Sequence, residues 1–503
     1  MLEGYTPEKK CELTDGFSTG FSIGYVGSQN RQHAPNLTSA YGVPAVVEAK
    51  IQKERDAGRI SGPFHTSPFD NYVVSPIGAE PKKQPGEYRI IHHLSFPRGS
   101  PSINAGIPEA ESSVKYATIS DAICIVQQLG RGCWLAKCDV KSAFRIIPIK
   151  PSERHLLGFR WRNALYFDNC LPMGCSSSCK IFEKVSTALE WICRNKLGIN
   201  TVVHILDDFL FAGKTKAECL QYLTSFLNLC KLLGIPIAPE KTIGPHQVLD
   251  FVGLELDTVQ MAVRLPQEKL LKYNSSLDQA LSSPTITKKN IQILAGQLNF
   301  AASVVIAGQA FTKRLYSLMQ GLSSPFVSVP LNEAVRADLL YWKDFLQQYN
   351  GVTIFATVKW NNNVSLGLNI GSNDHQFFGS LGQDWFCHPW QAELQPTPEA
   401  QDLYPLLFGL MLWGKELINT RFLFLTANPR TVKVINECKA KDRVATHLLR
   451  RIFYICMVHN IILRAKVDNY ILNIPPQLLS VGKHKPGRRT VPPSVYPGGT
   501  ETV

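Results

Sequence analysis

Two adjacent aspartates, Asp207 and Asp208, interrupt the apolar run HILDDFLFAG at 204–213. Neighbouring carboxylates repel each other unless a cation or proton holds them. A hairpin turn accounts for the pair as well, because Asp is a common turn residue. Both readings require strand, Asp-Asp, strand. A third carboxylate, Asp139, stands at the end of an apolar strand in LAKCDVKSAF. Three carboxylates can hold two Mg²⁺ ions, and two ions can clamp the attacking and leaving oxygens of a phosphoryl transfer. Mg²⁺ is a hard ion that takes oxygen ligands, so aspartates suit it and scattered thiols do not. Cys170, Cys175 and Cys179 form no CxxC pair and have no histidine nearby, so they read as small buried hydrophobes rather than a zinc site.

The elements that must position these carboxylates can be read from periodicity. VPAVVEAKIQKERDAG, from Val43, reads as an amphipathic helix. YVVSPIGAEPKKQPGEYRIIHHLS reads as a hairpin with a basic tip. CSSSCKIFEKVSTALEWICRNK has helical spacing of Ile181, Val185, Leu189 and Ile192, with its serines where helix caps belong. KAECLQYLTSFLNLCKLLG is a helix ending at Gly234, and VLDFVGLELDT a short strand pair. Residues 265–350 are mostly helical, with breaks near Ser282-Pro284 and Ser323-Pro325. Strands return at VTIFATV, followed by the helix AQDLYPLLFGLMLWGKEL, the strand RFLFLTA and further helices.

The chain has 503 residues, room for about three domains, and 45% apolar residues, enough for large cores. Its net charge of +13 suits a polyanionic partner, although a solvated basic surface is the plainer explanation. Thirteen scattered cysteines argue against a secreted disulfide scaffold. The first residues hold no apolar signal-peptide core, and YPLLFGLMLWG is too short to span a bilayer. An intracellular, soluble protein is expected, with no membrane partner.

Across roughly residues 45–320 the motifs GRISGPF, YRIIHHLSFPRGSPSIN, LAKCDVKSAFRIIPIKP, LPMGCSSSCKIFE, ILDDFLFAG, LGIPIAPEKTIGP and LDFVGLELDT follow one another. In this order they resemble reverse transcriptases, most closely those of DIRS-type retrotransposons. The resemblance implies a right-hand α/β (α+β) polymerase of fingers, palm and helical thumb, extending a primer on an RNA or DNA template with dNTPs. It implies two Mg²⁺ ions, for which Mn²⁺ could substitute. Asp139 and Asp207 would hold both ions, with Asp208 beside them. Phe144 would exclude a ribose 2′-hydroxyl, and Arg89 would contact the incoming triphosphate, assisted by Lys82 or Lys83. Lys241 matches a lysine on the pyrophosphate side. Gly174 would let the template–nucleotide pair approach the backbone. Met173 stands where the family often has Gln. A core phenylalanine, solvated lysines at a hairpin tip and a surface Lys241 are the plainer readings of those residues.

Residues 351–480 resemble an RNase H domain, which cuts with two metals held by four carboxylates. Aligned on that pattern, Thr357, Asp402, Ala427 and Gln477 occupy the four positions. One carboxylate cannot offset two divalent ions, so a folded but inactive domain is expected. The expected organisation is an arm at 1–42, fingers and palm at 43–264, thumb and connection at 265–350, the RNase H-like domain at 351–480 and a basic tail at 481–503. A catalytically silent, host-adopted nucleic-acid-binding protein of polymerase descent is the competing reading, and an active ribonuclease H a more remote one.

Overall fold

A computed structural model describes residues 1–28, 32–82, 86–97, 102–349, 352–355, 359–390 and 396–468. It divides into two compact units, Met1–Val252 and Gly253–Val503. The boundary falls earlier than the expected change of domain near residue 264. The expected tail at 481–503, Lys83, Thr357 and Gln477 lie outside the described residues.

The first unit opens with helix α1 (Pro7–Thr19). The expected arm is instead packed: Tyr5, Leu13, Phe21 and Ile23 enter the unit's main core. The Tyr5 ring lies 5.1 Å from that of Trp191, and Ile23 N donates to Glu153 Oε2 at 2.7 Å. These apolar residues are too irregularly spaced to announce an amphipathic element, yet each finds a partner. Helix α2 (Pro44–Asp56) begins on a proline, whose missing N–H costs nothing in the first turn. Its Val47 and Ile51 pack with Phe159, Trp161 and Tyr166.

Strands β1 (Ile60–Phe64) and β2 (Val73–Val74) are followed by a hairpin, β3 (Ile77–Pro81) and β4 (Tyr88–His92). Strand β5 (Trp134–Asp139) comes next, then a second hairpin, β6 (Gly158–Trp161) and β7 (Ala164–Asp168). Strands β2, β6, β7 and β1 lie side by side in one sheet. Helix α3 (Ser178–Lys196) precedes a tight hairpin of β8 (Val202–Ile205) and β9 (Asp208–Gly213). Helix α4 (Lys216–Leu232) and strand β10 (Ile243–His246) complete a four-stranded sheet in the order β10-β5-β9-β8. Thr215 caps α4, its Oγ1 accepting from Glu218 N at 3.1 Å. The serines before α3 do not cap it as expected. Ser177 makes no cap bond, and Ser178 Oγ donates to Pro172 O at 3.0 Å.

Alternation along a strand decides which side chains α3 and α4 cover. Cys138 on β5 and Phe209 and Phe211 on β9 join the core with Phe182, Val185, Phe226 and Cys230. The Phe209 and Phe226 centroids are 4.6 Å apart. Burying each such ring contributes roughly 2–3 kcal/mol. Asp139 and Asp208, the alternate positions, are therefore held on the other face of the sheet.

In the second unit, strands β11 (Leu254–Asp257) and β12 (Ala262–Arg264) lead into helices α5 (Gln267–Ser282) and α6 (Lys288–Ala301). Helix α7 (Glu333–Tyr349) and strand β13 (Val352–Ile354) follow. Both expected breaks occur, and short strands Thr285–Thr287 and Ser328–Pro330 pair across them. Strand β14 (Trp360–Asn362) precedes an antiparallel meander, β15 (Leu368–Ser372), β16 (Gln376–Leu381) and β17 (Asp384–Pro389). Helix α8 (Leu403–Trp413), strand β18 (Arg421–Thr426), helices α9 (Pro429–Glu437) and α10 (Arg443–Val458), and strand β19 (Ile462–Val467) end the described chain. Asp338 of α7 is fully buried, with Arg450 of α10 forked onto both its oxygens at 2.5 Å.

Candidate active site

The Asp-Asp stretch folds as strand, turn, strand, as either of its readings requires. Ile205 pairs with Asp208, leaving Leu206 and Asp207 as a two-residue turn. Leu206 takes φ +55°, a conformation that bulky L-residues rarely adopt, so the turn is held against local preference. Asp208 then pairs in register with Asp139 on the neighbouring strand. Directly opposed residues of an antiparallel pair share a face, with Cβ atoms about 5 Å apart. The turn is tied to the same strand, Val140 N donating to Asp207 O at 3.0 Å.

This proximity has an electrostatic signature. Burial pushes the Asp207 carboxyl up to about 6, and the charges of Asp139 and Asp208 add to the rise. Asp208 is raised by burial and then by Asp139. Lys241, on a short turn at Pro239–Lys241, sets its Nζ 2.6 Å from Asp139 Oδ2. Burial opposes the lysine's charge, but the hydrogen bond and charge of Asp139 outweigh it and raise the Lys241 pKa. Lys241 is thus an exposed side chain that is nonetheless ion-paired with Asp139. A set of three mutually repelling carboxylates suits a hard divalent cation. Among the described residues, no three acidic, histidine or cysteine side chains are gathered closely enough to hold an ion as they stand. Asp139 is instead engaged by Lys241.

Beneath the turn, His204 is buried between two carboxylates. Its Nδ1 lies 2.5 Å from Glu190 Oε2, and its Nε2 lies 3.1 Å from Glu183 Oε1. Burial disfavours the imidazolium, but the hydrogen bonds to Glu183 and Glu190 prevail and raise His204 to about 9. His204 also stacks on Phe209, ring centroids 5.3 Å apart, so it braces the strand that delivers Asp207.

The remaining expected residues occupy three segments. Phe144 sits on a 3-10 turn, Ala143–Ile146, half-buried and edge-on to Phe182 at 6.0 Å. Arg89 is exposed on the β3–β4 hairpin, paired in register with Glu80. Lys82 near the tip is exposed and 2.9 Å from Glu87, an ion pair that water weakens. Met173 O accepts from His92 N at 2.9 Å. Gly174 takes φ +121°, and a Cβ there would lie 2.0 Å from His92 O. The missing side chain is thus required by the protein's own backbone, a reason additional to any approaching nucleotide.

Arg145 was not singled out by sequence, although a charged residue in AFRIIPI was a visible signal. Its guanidinium is buried and reaches Glu54 Oε2 at 2.8 Å and Asp168 Oδ1 at 2.7 Å. It also reaches the Cys170 and Leu171 carbonyls, both at 3.2 Å. Burial opposes its charge, but Asp168 and then Glu54 raise it further above its ordinary value. Burial likewise works against the Asp168 carboxylate, but Arg145 and then His92 lower its pKa.

In the second unit, β18 pairs parallel with β19 on one side and with β14, Trp360–Asn362, on the other. The first strand had been expected around Phe355 and Thr357. Val352–Ile354 pairs instead with β12 in a different sheet. β14 carries no carboxylate. Asp402, at the start of α8, is buried and accepts from Ser372 Oγ at 3.0 Å, Thr426 Oγ1 at 2.8 Å and Thr431 Oγ1 at 3.4 Å. Ala427 is exposed after β18. Asn428 caps α9, accepting from Arg430 N at 3.0 Å.

Residues 81–256 match the family described as reverse transcriptase (RNA-dependent DNA polymerase). The Gag-Pro-Pol polyprotein of simian retrovirus SRV-2 is 22% identical over 306 residues, which cover 59% of this chain and 15% of the polyprotein. The chain thus spans under a sixth of that relative's length. Foamy viral protease-reverse transcriptase superposes in its complex with double-stranded DNA at TM-score 0.53 and 16% identity, over 90% of this chain and 74% of that one. Foamy viral protease-reverse transcriptase in complex with an RNA/DNA hybrid gives 0.51 and 16%, over 97% of this chain and 64% of that one. The mixed α/β architecture is the fold of a reverse transcriptase. No helix among the described residues is long and apolar enough to cross a membrane.

Proposed function

We propose that this chain is an RNA-directed DNA polymerase of retrotransposon origin, extending a primer on RNA or DNA with dNTPs. The observation that carries this reading is the register that pairs Asp208 with Asp139 and puts Asp207 on the adjoining turn, inside the segment that matches the polymerase family. Asp139 and Asp207 would hold two Mg²⁺ ions, with Asp208 beside them. Bound divalent ions would neutralise the triphosphate and favour the alkoxide form of the primer 3′-hydroxyl. The protein's part is then positioning and charge more than proton transfer by side chains.

In this reading the first unit supplies fingers and palm. Arg89 and Lys82 project from the fingers hairpin toward the triphosphate, where Arg suits phosphate oxygens. Phe144 closes the space beside the sugar by clash, which favours dNTPs over rNTPs. Lys241 neutralises Asp139 in the free protein and remains beside the pyrophosphate when substrate binds. The helical segment of the second unit would act as a thumb, gripping the phosphates of the duplex. The competing reading is a catalytically silent protein that only binds nucleic acid.

The test is extension of a labelled primer on an RNA template with dNTPs and Mg²⁺, with and without chelator. Metal-dependent elongation supports the proposal. Retention of the hybrid without elongation on RNA or DNA templates would replace it with the silent binder.

A further inference from the structure

The Arg145 network joins all three segments assigned above to the nucleotide. Arg145 directly follows Phe144 on the 3-10 turn. Its Nε is held by Glu54 of α2, its Nη1 by the carbonyls of Cys170 and Leu171, and its Nη2 by Asp168 and, at 3.4 Å, by Arg59 O. Asp168, at the end of β7, uses its other oxygen for His92, Nδ1 to Oδ2 at 3.0 Å. The second ring nitrogen of His92 lies 3.0 Å from Gly158 O. His92 closes the β3–β4 hairpin that carries Arg89, and its own N–H donates to Met173 O. Met173 and Gly174 follow Leu171, whose carbonyl Arg145 already holds.

The chain Phe144–Arg145–Asp168–His92–Met173 is thus continuous in covalent or hydrogen bonds. It is also dry: Asp168 and His92 are almost fully buried, and the Arg145 side chain is 13% exposed. A buried ion pair of this kind is a weak source of stability compared with apolar packing. A guanidinium with several fixed acceptors instead sets geometry, because its planar fork cannot satisfy them in another orientation. Core packing alone could support Phe144 without a desolvated charge. Displacing a sugar-facing ring by about an ångström is enough to admit a hydroxyl or misplace a triphosphate.

We propose that Arg145, with Asp168 and His92, is a positioning network that fixes Phe144, the Arg89 hairpin and the Met173–Gly174 turn as one rigid nucleotide-sugar gauge. The inference rests on the polymerase reading and goes beyond it by naming what sets sugar selectivity. None of the three residues touches the reacting atoms. Losing the network therefore loosens nucleotide binding and discrimination more than it slows the step at saturating dNTP.

The experiment compares wild type, Arg145→Lys and Glu54→Gln for kcat and KM of one dNTP and of its rNTP counterpart. Lysine keeps the charge but cannot fork; Glu54→Gln removes the partner charge at a less buried position. A rise of about tenfold in dNTP KM, a fall of about tenfold in dNTP-over-rNTP selectivity and a kcat within about threefold of wild type are expected for Arg145→Lys. Glu54→Gln should move the same quantities in the same direction by less. Folding is checked by calorimetric melting, and if Arg145→Lys does not fold, the Glu54→Gln selectivity decides. Unchanged selectivity in a folded variant overturns the network's role while leaving the polymerase reading intact. Absence of extension by wild type overturns the polymerase reading, and this inference with it.

Discussion

Asp207 sits where burial and the neighbouring carboxylates oppose its charge. Its pKa of about 6 lies above the unfolded value of 3.8, so the folded state binds the extra proton. Stability from that proton is full below about pH 4 and is lost as pH rises through 6; at neutral pH the carboxylate costs the fold. Asp207→Asn should therefore raise the melting temperature of metal-free protein at pH 7 by about 2–5 °C. The same substitution should reduce the additional stabilisation that Mg²⁺ gives wild type. A lower melting temperature for the variant would contradict the assignment of repulsion at this site. His204 behaves alike in sign. Its folded value of about 9 lies above 6.5, so its stabilisation is complete below about pH 6.5 and disappears as pH rises through 9. His204→Gln should flatten the fall in melting temperature across that window, and an unchanged slope would exclude the clamp as its origin. The aspartates were legible because charge inside an apolar run stands out. The clamp, the Lys241 contact and Arg145 were not, because Glu183, Asp139 and Asp168 become their neighbours only on folding.

At the scale of elements, periodic helices and the Asp-Asp hairpin were legible, and segments lacking periodicity were not. Helices α2, α3 and α4 fall where apolar spacing places them. The meander at Leu368–Pro389 went unread although Asn373 and Gly382 mark its turns, since its strands alternate poorly between apolar and polar residues. The short run VTIFATV suggests the first strand of the second sheet, but β propensity alone does not specify which partner strand a run joins. Strand β14 is more polar still, and its place beside β18 is fixed by tertiary pairing. The buried Asn363 reinforces that place, its amide exchanging hydrogen bonds with Leu425 at 2.8 and 3.1 Å. The Met173–Gly174 turn makes the element-scale prediction. Gly174→Ala brings a methyl into backbone that cannot rotate away and enforces a positive φ. The substitution should destabilise the protein by about 2–4 kcal/mol, read from urea unfolding. A loss below about 1 kcal/mol would mean that the turn relaxes freely.

Over the whole molecule, the segment that matches the reverse-transcriptase family and the C-terminal segment differ in what their carboxylates do. In the first unit, Asp139, Asp207 and Asp208 crowd the ends of adjacent strands, and burial together with the charge of Asp139 raises the pKa of Asp207 and of Asp208. In the second, Asp402 is satisfied by three hydroxyls, an arrangement that fixes β15, β18 and α9 around α8. Purified protein should therefore leave the RNA strand of a hybrid intact, and Asp402→Asn should alter melting rather than cleavage. Cleavage abolished by Asp402→Asn would show that this carboxylate serves a nuclease. The central claim is that Asp139 and Asp207 form a metal-dependent polymerase centre. Its most direct test is the single-turnover rate of Mg²⁺-dependent primer extension for wild type and Asp207→Asn at equal hybrid occupancy. The account predicts measurable extension by wild type and a loss of about a thousandfold or more in the variant. Equal rates, or no extension by a wild type that binds the hybrid, would contradict it.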